Sequence, residues 1–223
     1  MTQYAVMSNG IGRCATKWLA QMLQENTVGT RVTHEGFRDR KQWLAAEWEA
    51  KSKDFDLLVD FSADMLALVH SYKFNPTFCV LLRDPLDLAQ SYITRMLTGT
   101  HVSPDKATKR SIAYYYMTHM LWSLDSGLFL AKDSGFEPTY WDYEQYTTLD
   151  GFAALARHIG AKLKPELRLL PPNDLKPKHQ KIDIVEWCDG DTTILERALD
   201  GFPHVKEAYE QIRSEQWTLS SQT

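Results

Sequence analysis

Two loops of this chain gather side chains that can hold anions. The first reads Ser8-Asn9-Gly10-Ile11-Gly12-Arg13-Cys14-Ala15-Thr16-Lys17-Trp18. Small residues there let backbone N–H groups approach an anion closely, and the helix that follows adds the partial positive charge of its N-terminus. Arg13 and Lys17 add whole charges, and Thr16 offers a hydroxyl donor. The set reads as a phosphate cradle. It is not a strict P-loop, because GxxxxGK followed by Ser or Thr would place Gly at Ala15 and Lys at Thr16. The plainer alternative is a tight strand-to-helix turn carrying two surface cations.

The second loop reads Leu81-Leu82-Arg83-Asp84-Pro85-Leu86-Asp87-Leu88-Ala89-Gln90-Ser91-Tyr92. Arg83 closes a run of apolar residues, and Ser91 lies eight positions on, about two helical turns away. An arginine beside a hydroxyl suits a terminal phosphate monoester. The alternative is an arginine held in a structural ion pair. A third segment, Thr33-His34-Glu35-Gly36-Phe37, offers two proton-transfer groups. Adjacent strand residues face opposite ways, so only one of His34 and Glu35 would face an acceptor. Asp60 and Ser62 are further acceptor-side candidates.

These groups need elements to position them. Tyr4 to Met7 reads as a buried strand, and Ala15 to Gln24 as a helix with Trp18, Leu19, Met22 and Leu23 on one stripe. Arg31 to His34 and Phe55 to Val59 read as strands, with a helix over Asp39 to Lys51 between them. Thr77 to Leu82 is a continuous apolar run of the kind found at the centre of a parallel sheet. Asp84-Pro85 opens a helix, with proline where its missing N–H costs little. Ser103-Pro104 opens a long one reaching toward Lys132; Thr139 to Trp141 is a last strand, followed by a helix from Leu149 to His158. Strand–helix alternation of this kind implies an α/β fold, three layers α/β/α around a mostly parallel sheet, P-loop NTPase-like. Ligands of such folds sit outside the carboxyl ends of the strands, where both loops fall.

Composition narrows the rest. With 25 Lys+Arg against 29 Asp+Glu the formal charge is −4, which argues against a nucleic-acid binder. Hydrophobic residues at 43% suffice for a real core, and 223 residues fit one domain spanning 1–223, its motifs within 4–160 and its C-terminal part helical. Cys14, Cys79 and Cys188 are far apart and form no CxxC or Cys/His cluster, so neither a disulfide framework nor a metal site is expected. Cys14 lacks the downstream arginine of a phosphatase loop, and no GxSxG or HExxH is present. Nor is there a secretory leader or an apolar run long enough to span a bilayer, so a cytoplasmic location without membrane attachment is expected. The aromatic series Tyr114, Tyr115, Tyr116, Trp122 and Phe129 reads as core or interface. The basic stretch from Lys162 to Lys181 reads as a solvated face, the alternative being that Lys178 or Lys181 reaches a cofactor's phosphates, and the acidic one from Asp183 onward reads as amphipathic surface helix.

Taken together, the loops resemble the PAPS-dependent sulfotransferase family. Gly12-Arg13-Cys14-Ala15-Thr16-Lys17-Trp18-Leu19 is similar to its 5′-phosphosulfate loop, in which Gly or Pro, then Lys or Arg, precede S-G-T-T-W-L. It departs at Cys14, Ala15 and Lys17. Arg83 to Ser91 is similar to its 3′-phosphate motif, R-N/D-P-x-D-x-A-x-S, at every typed position. Trp141 to Tyr146 with Phe152 to Gly160 is a weaker echo of its late YEDL…FLG unit, while its C-terminal RKGxxG element has no counterpart here.

The resemblance implies roles. Gly12 through Trp18 would bind the 5′ end of PAPS, with Arg13 on the sulfate and bridging oxygen, Thr16 on the 5′-phosphate and Trp18 stacked on adenine. Lys17 would either replace a hydroxyl contact with a charge or point to solvent. Arg83 and Ser91 would hold the 3′-phosphate that distinguishes PAPS from ATP. Arg13 would stabilise charge growing on the leaving phosphate oxygen, and Glu35, or failing it His34, would take the acceptor's proton. The acceptor would be a hydroxyl or amine of a small molecule or carbohydrate, and no metal is required. A magnesium-dependent P-loop kinase or NTPase, and a nucleotide-binding protein without turnover, are the alternatives.

Overall fold

Each apolar run expected to form a strand does so, in a single parallel sheet. The strands are β1 (Gln3–Ser8), β3 (Thr30–His34), β4 (Leu57–Ser62), β5 (Thr77–Leu82) and β6 (Thr139–Asp142), in spatial order β3-β4-β1-β5-β6. All four pairings are parallel. The computed structural model describes residues 2–8, 14–34, 54–62, 74–97, 105–171, 182–191 and 193–220. The helix expected over Asp39 to Lys51 lies outside these residues, as does the Ser103-Pro104 start. The fold is α/β, a central five-stranded parallel sheet flanked by helices. Among the described residues no helix is long and apolar enough to cross a membrane.

The chain divides into two compact units, Met1–Leu82 with Gly127–Asn173, and Arg83–Ser126 with Asp174–Thr223. The first holds the sheet. Its central strands are buried on both faces: Ala5, Val6 and Met7 of β1 and Phe78 to Leu82 of β5 form the core. Helix α1 (Thr16–Asn26) packs against β3 and β4 through Trp18, Leu19, Met22 and Leu23, the stripe read from the sequence. Asn26 ends it. Buried, it donates to the carbonyls of Met22 (2.9 Å) and Arg168 (3.0 Å) and accepts from the Arg168 N–H (2.6 Å), so its polar atoms are satisfied as burial demands. The two-residue strands β2 (Thr27–Val28) and β7 (Lys162–Leu163) pair antiparallel beyond it.

Strand β4 corrects one boundary. The sequence places this strand over Phe55 to Val59, with Asp60 and Ser62 in the loop after it. Instead β4 runs on to Ser62, because β1 and β3 flank it on both edges and give its last backbone groups partners, Ser8↔Ser62 and His34↔Phe61. Paired edges outweigh one charged side chain.

In the second unit, α2 (Pro85–Leu97) begins at an Asp84 cap, whose Oδ1 accepts the Asp87 N–H at 2.9 Å. The long helix α3 (Lys106–Asp133), whose turns from Gly127 belong to the first unit, is capped by Asp105 through the Thr108 N–H at 2.8 Å. Helices α6 (Ile184–Trp187), α7 (Ile194–Leu199) and α8 (Pro203–Ser220) complete it. Asp125 of α3 accepts the His204 and Val205 N–H groups at 2.9 and 3.2 Å, placing a carboxylate at the positive end of α8. The aromatic residues of α3 are not core: Tyr115 is 62% and Trp122 58% exposed. All three cysteines are free and buried.

Helices α4 (Tyr143–Tyr146) and α5 (Leu149–His158) meet at a turn that fixes one glycine. Thr148 caps α5 by accepting the Gly151 N–H, and a Cβ on Gly151 would lie 1.9 Å from the Gln145 carbonyl oxygen. Backbone cannot yield as a side-chain tip does. Gly151→Ala should destabilise the protein by about 1–3 kcal/mol, the usual range for overpacking. Thermal unfolding checks this; an unchanged midpoint would show that the α4–α5 turn relaxes freely.

Candidate functional site

From β1 the chain moves outward to β3, returns through β4, and then crosses to β5 and β6 on the other side of β1. The connections therefore part at the carboxyl ends of β1 and β5, which is where open α/β sheets bind ligands. Ser8 ends β1 there, and Leu82 ends β5 with Arg83 next in the chain. Both sequence motifs start at this edge.

Residues 9–13, and with them Gly12 and Arg13, lie outside the described residues, as does Glu35. What is described of the first loop is its entry into α1. Ala15, the N-cap residue, has φ 49° and ψ 28°, the left-handed conformation. This is the position where the resembled motif carries glycine, and the geometry shows why glycine suits it: a Cβ in that conformation crowds the following carbonyl and costs about 1–2 kcal/mol. The turn keeps its shape without glycine because its neighbours hold it. Cys14 is fully buried, and its carbonyl accepts the hydroxyl of buried Tyr146 at 2.9 Å. One residue on, Thr16 Oγ1 lies 3.1 Å from Nε2 of His34, which ends β3.

The structure thus brings together the 5′-phosphate candidate and the second base candidate. A hydroxyl and an imidazole at this distance share a proton position, and whichever donates, the other is oriented by it. Thr33, on the opposite face of β3, donates instead to Asp60 Oδ1 at 2.6 Å. Asp60 is fully buried in β4, beside Val6 in register, and Ser62 pairs in register with Ser8, both buried. A carboxylate and two serine hydroxyls thus sit within the sheet at the carboxyl ends of β1 and β4. Among the described residues no three His, Cys, Asp or Glu side chains gather as metal ligands would.

Lys17 is exposed at the start of α1. Trp18 is 5% exposed, and its indole N–H donates to the Leu170 carbonyl at 3.0 Å. Its ring is occupied in packing α1 against the segment that follows β7.

The second motif is described whole, within the second unit. Asp84 caps α2, Pro85 takes its first position, and Asp87 accepts Arg83 Nη2 at 3.2 Å. Asp87 and Ser91 are four apart and so share a helix face, the one toward which Arg83 reaches. Arg83 is 21% exposed, and its carbonyl accepts the Tyr209 hydroxyl from α8 at 2.8 Å. The guanidinium is thereby partly screened from water and poised near the first turn of α2. Next to Ser91, the Tyr92 hydroxyl lies 3.3 Å from His119 Nδ1, and burial, then Tyr116 and Tyr115, raise its pKa above the ordinary phenol value.

Two contributors were not read from the sequence. Tyr146 lies in the segment resembling YEDL, but nothing in its spacing says that its hydroxyl holds the loop after β1. Tyr209 lies in the acidic C-terminal stretch, read as an amphipathic surface helix without any one residue singled out.

No family model matches the chain, and no curated protein matches it in sequence. Among solved structures it is similar to the sulfotransferase domain from the curacin biosynthetic pathway, at 13% identity over 90% of this chain and 96% of that one, with a TM-score of 0.41. So weak a likeness says nothing of activity or substrate.

The strained entry into α1 is testable by itself. Ala15→Gly should relieve the left-handed penalty while adding unfolded-state entropy, a net gain of up to about 1 kcal/mol. The melting temperature should rise by roughly 2–4 °C per kcal/mol for a chain of this size. A fall would mean that the methyl group packs better than the backbone strain costs.

Proposed function

We propose that the chain transfers a sulfuryl group from PAPS to a hydroxyl or amine of a small-molecule or carbohydrate acceptor. The observation that carries this reading is the run from Arg83 to Ser91. It leaves an inner parallel strand at the ligand-binding edge, caps its own helix with Asp84 and Pro85, and sets Arg83, Asp87 and Ser91 along one face. A phosphate monoester arriving there meets a planar guanidinium and a hydroxyl, donors that match its oxygens. The αL turn at Ala15, with Thr16 beside it, supports the companion assignment for the phosphosulfate end.

PAPS, when bound, supplies the sulfuryl group and a bisphosphate leaving group. The chain's own part is to hold and to polarise. Arg83 and Ser91 would grip the 3′-phosphate, which requires the guanidinium to exchange Asp87 for the ligand. Arg13 would stabilise negative charge growing on the bridging oxygen, a contribution of ~2.7–4 kcal/mol in comparable oxyanion sites. Thr16 would donate to the 5′-phosphate, and its neighbour His34 would in turn be oriented by it. Glu35, next in sequence, would take the acceptor's proton, worth ~10²–10⁴-fold. Trp18 adds helix packing rather than base stacking in this arrangement. A cytoplasmic setting without metal or nucleic acid belongs to the same proposal.

A second reading has one specific observation behind it. Leu57-Leu58-Val59-Asp60 puts a carboxylate after three apolar residues on the strand beside β1, the place where P-loop enzymes that use magnesium carry an acidic residue. Against it, Ala15 and Thr16 stand where Gly-Lys would, and exposed Lys17 stands where the metal-binding hydroxyl would.

Ligand-dependent stability separates the two. A ligand at a hundredfold its dissociation constant adds ~2.7 kcal/mol. For this chain that is a rise of roughly 5–10 °C in melting temperature. Adenosine 3′,5′-bisphosphate should produce it and ATP with magnesium much less; the opposite ranking would favour the nucleotide kinase. Arg83→Ala should erase the preference for a 3′-phosphate, and a preserved preference would remove that assignment. Turnover with labelled PAPS should fall by ~10²-fold or more in Glu35→Gln while bisphosphate binding persists. Full turnover in that variant would leave His34 as the base candidate, to be tested by His34→Ala.

A further inference from the structure

Apart from the two loops, a second gathering of anion-binding groups lies wholly within the second unit. Arg110, Ser111 and Tyr114 of α3, with Ile194 and Arg197 of α7, line a cavity of about 290 Å3. Every polar side chain in that lining can donate a hydrogen bond, and none is a carboxylate. Ile194, itself buried, and the half-exposed Tyr114 ring are its apolar lining.

The two arginines are differently placed in charge. Arg197 Nη2 holds Asp191 Oδ2 at 2.5 Å, while Asp191 Oδ1 accepts the N–H and hydroxyl of Thr193 at 3.0 and 2.8 Å. The Thr193 and Arg197 bonds hold the Asp191 carboxyl below its ordinary range. Its oxygens are thus engaged, and they fix the Arg197 guanidinium by one nitrogen of a five-donor fork. Among the described residues no carboxylate forms an ion pair with Arg110; burial raises the pKa of the Cys188 thiol, Arg110 lowers it, and Asp191 and Asp189 raise it. One guanidinium is oriented in advance, and among the described residues the other is not held in an ion pair.

Volume narrows the ligand. The space is half open to solvent and roomier than a bare oxyanion needs. Planar guanidinium forks match the oxygens of phosphate and sulfate groups. We propose that this cavity binds a small organic monoester of phosphate or sulfate, its terminal oxygens on Arg110 and Arg197 and its organic part against Tyr114 and Ile194. The site does not depend on sulfuryl transfer and stands whether or not that reading does.

Calorimetric titration of the full chain tests it, with phenyl phosphate, phenyl sulfate, inorganic phosphate and phenol as probes. At least one phenyl ester should saturate a single site, inorganic phosphate should bind more weakly, and phenol should not bind; the tighter ester identifies the oxyanion. Arg110→Gln should weaken the ester by roughly tenfold or more, the loss expected of a charge-assisted hydrogen bond. Lys206→Gln, an exposed cation of the same unit outside the lining, should leave the affinity unchanged. No saturation by either ester, phenol binding as well as the esters, an unchanged Arg110→Gln, or loss in Lys206→Gln would each overturn the proposal. Should Arg110→Gln lower the melting temperature, Tyr114→Ala, which removes the exposed ring, decides: weaker ester binding supports the site, and equal binding overturns it.

Discussion

The hydrogen bond from the Tyr146 hydroxyl to the Cys14 carbonyl is the constraint on which the first loop depends. A chain leaving an inner parallel strand must reverse into a helix within a few residues, and here it does so through a left-handed alanine. Such a turn is uphill for any residue with a Cβ. It persists because Cys14 is sealed in the core and its carbonyl already has a partner on α4, so relaxing Ala15 would break a buried bond. The same turn delivers Thr16 to His34 across the end of β3. The strain at Ala15 and the placement of Thr16 therefore have a common cause.

The second motif shows how one set of residues can serve structure and binding together. Asp84 and Pro85 satisfy the start of α2, and Asp87 lies in its first turn, where a carboxylate is favourable. Asp87 then also neutralises Arg83. An exposed arginine–aspartate pair four residues apart contributes little stability, so exchanging that partner for a phosphate costs the fold little. A guanidinium kept oriented by a weak internal anion is better prepared for a strong external one than a solvated, freely rotating side chain.

Much of the architecture was legible because its signals are local. The apolar runs of β1 and β5, the α1 stripe, the Asp84-Pro85 start and the bounds Leu149–His158 all follow from period and capping chemistry. What escaped depended on neighbours. The end of β4 was set by strands on both sides, not by Asp60 itself. Trp18 reads equally well as a stacking platform or a core residue until the Leu170 carbonyl takes its N–H. Tyr146 and Tyr209 each hold a backbone carbonyl more than a hundred residues away in sequence, a relation no local spacing encodes. The aromatic series of α3 was read as core or interface, and its exposure removes the first of these, which helical spacing alone does not separate from the second.

Asp60 bears on the charge of the whole edge. A carboxylate near the carboxyl ends of β1 and β4 would repel any anion arriving there if its field reached that anion unscreened. Its position limits that. It lies within a strand rather than on the loop, fully buried, with the Thr33 hydroxyl donating to one oxygen and with Ser8 and Ser62 one register step toward the edge on the same face. Burying such a charge costs several kcal/mol unless local dipoles replace water. The Thr33 hydroxyl is one such dipole, and Ser8 and Ser62 lie on the same face nearer the strand ends.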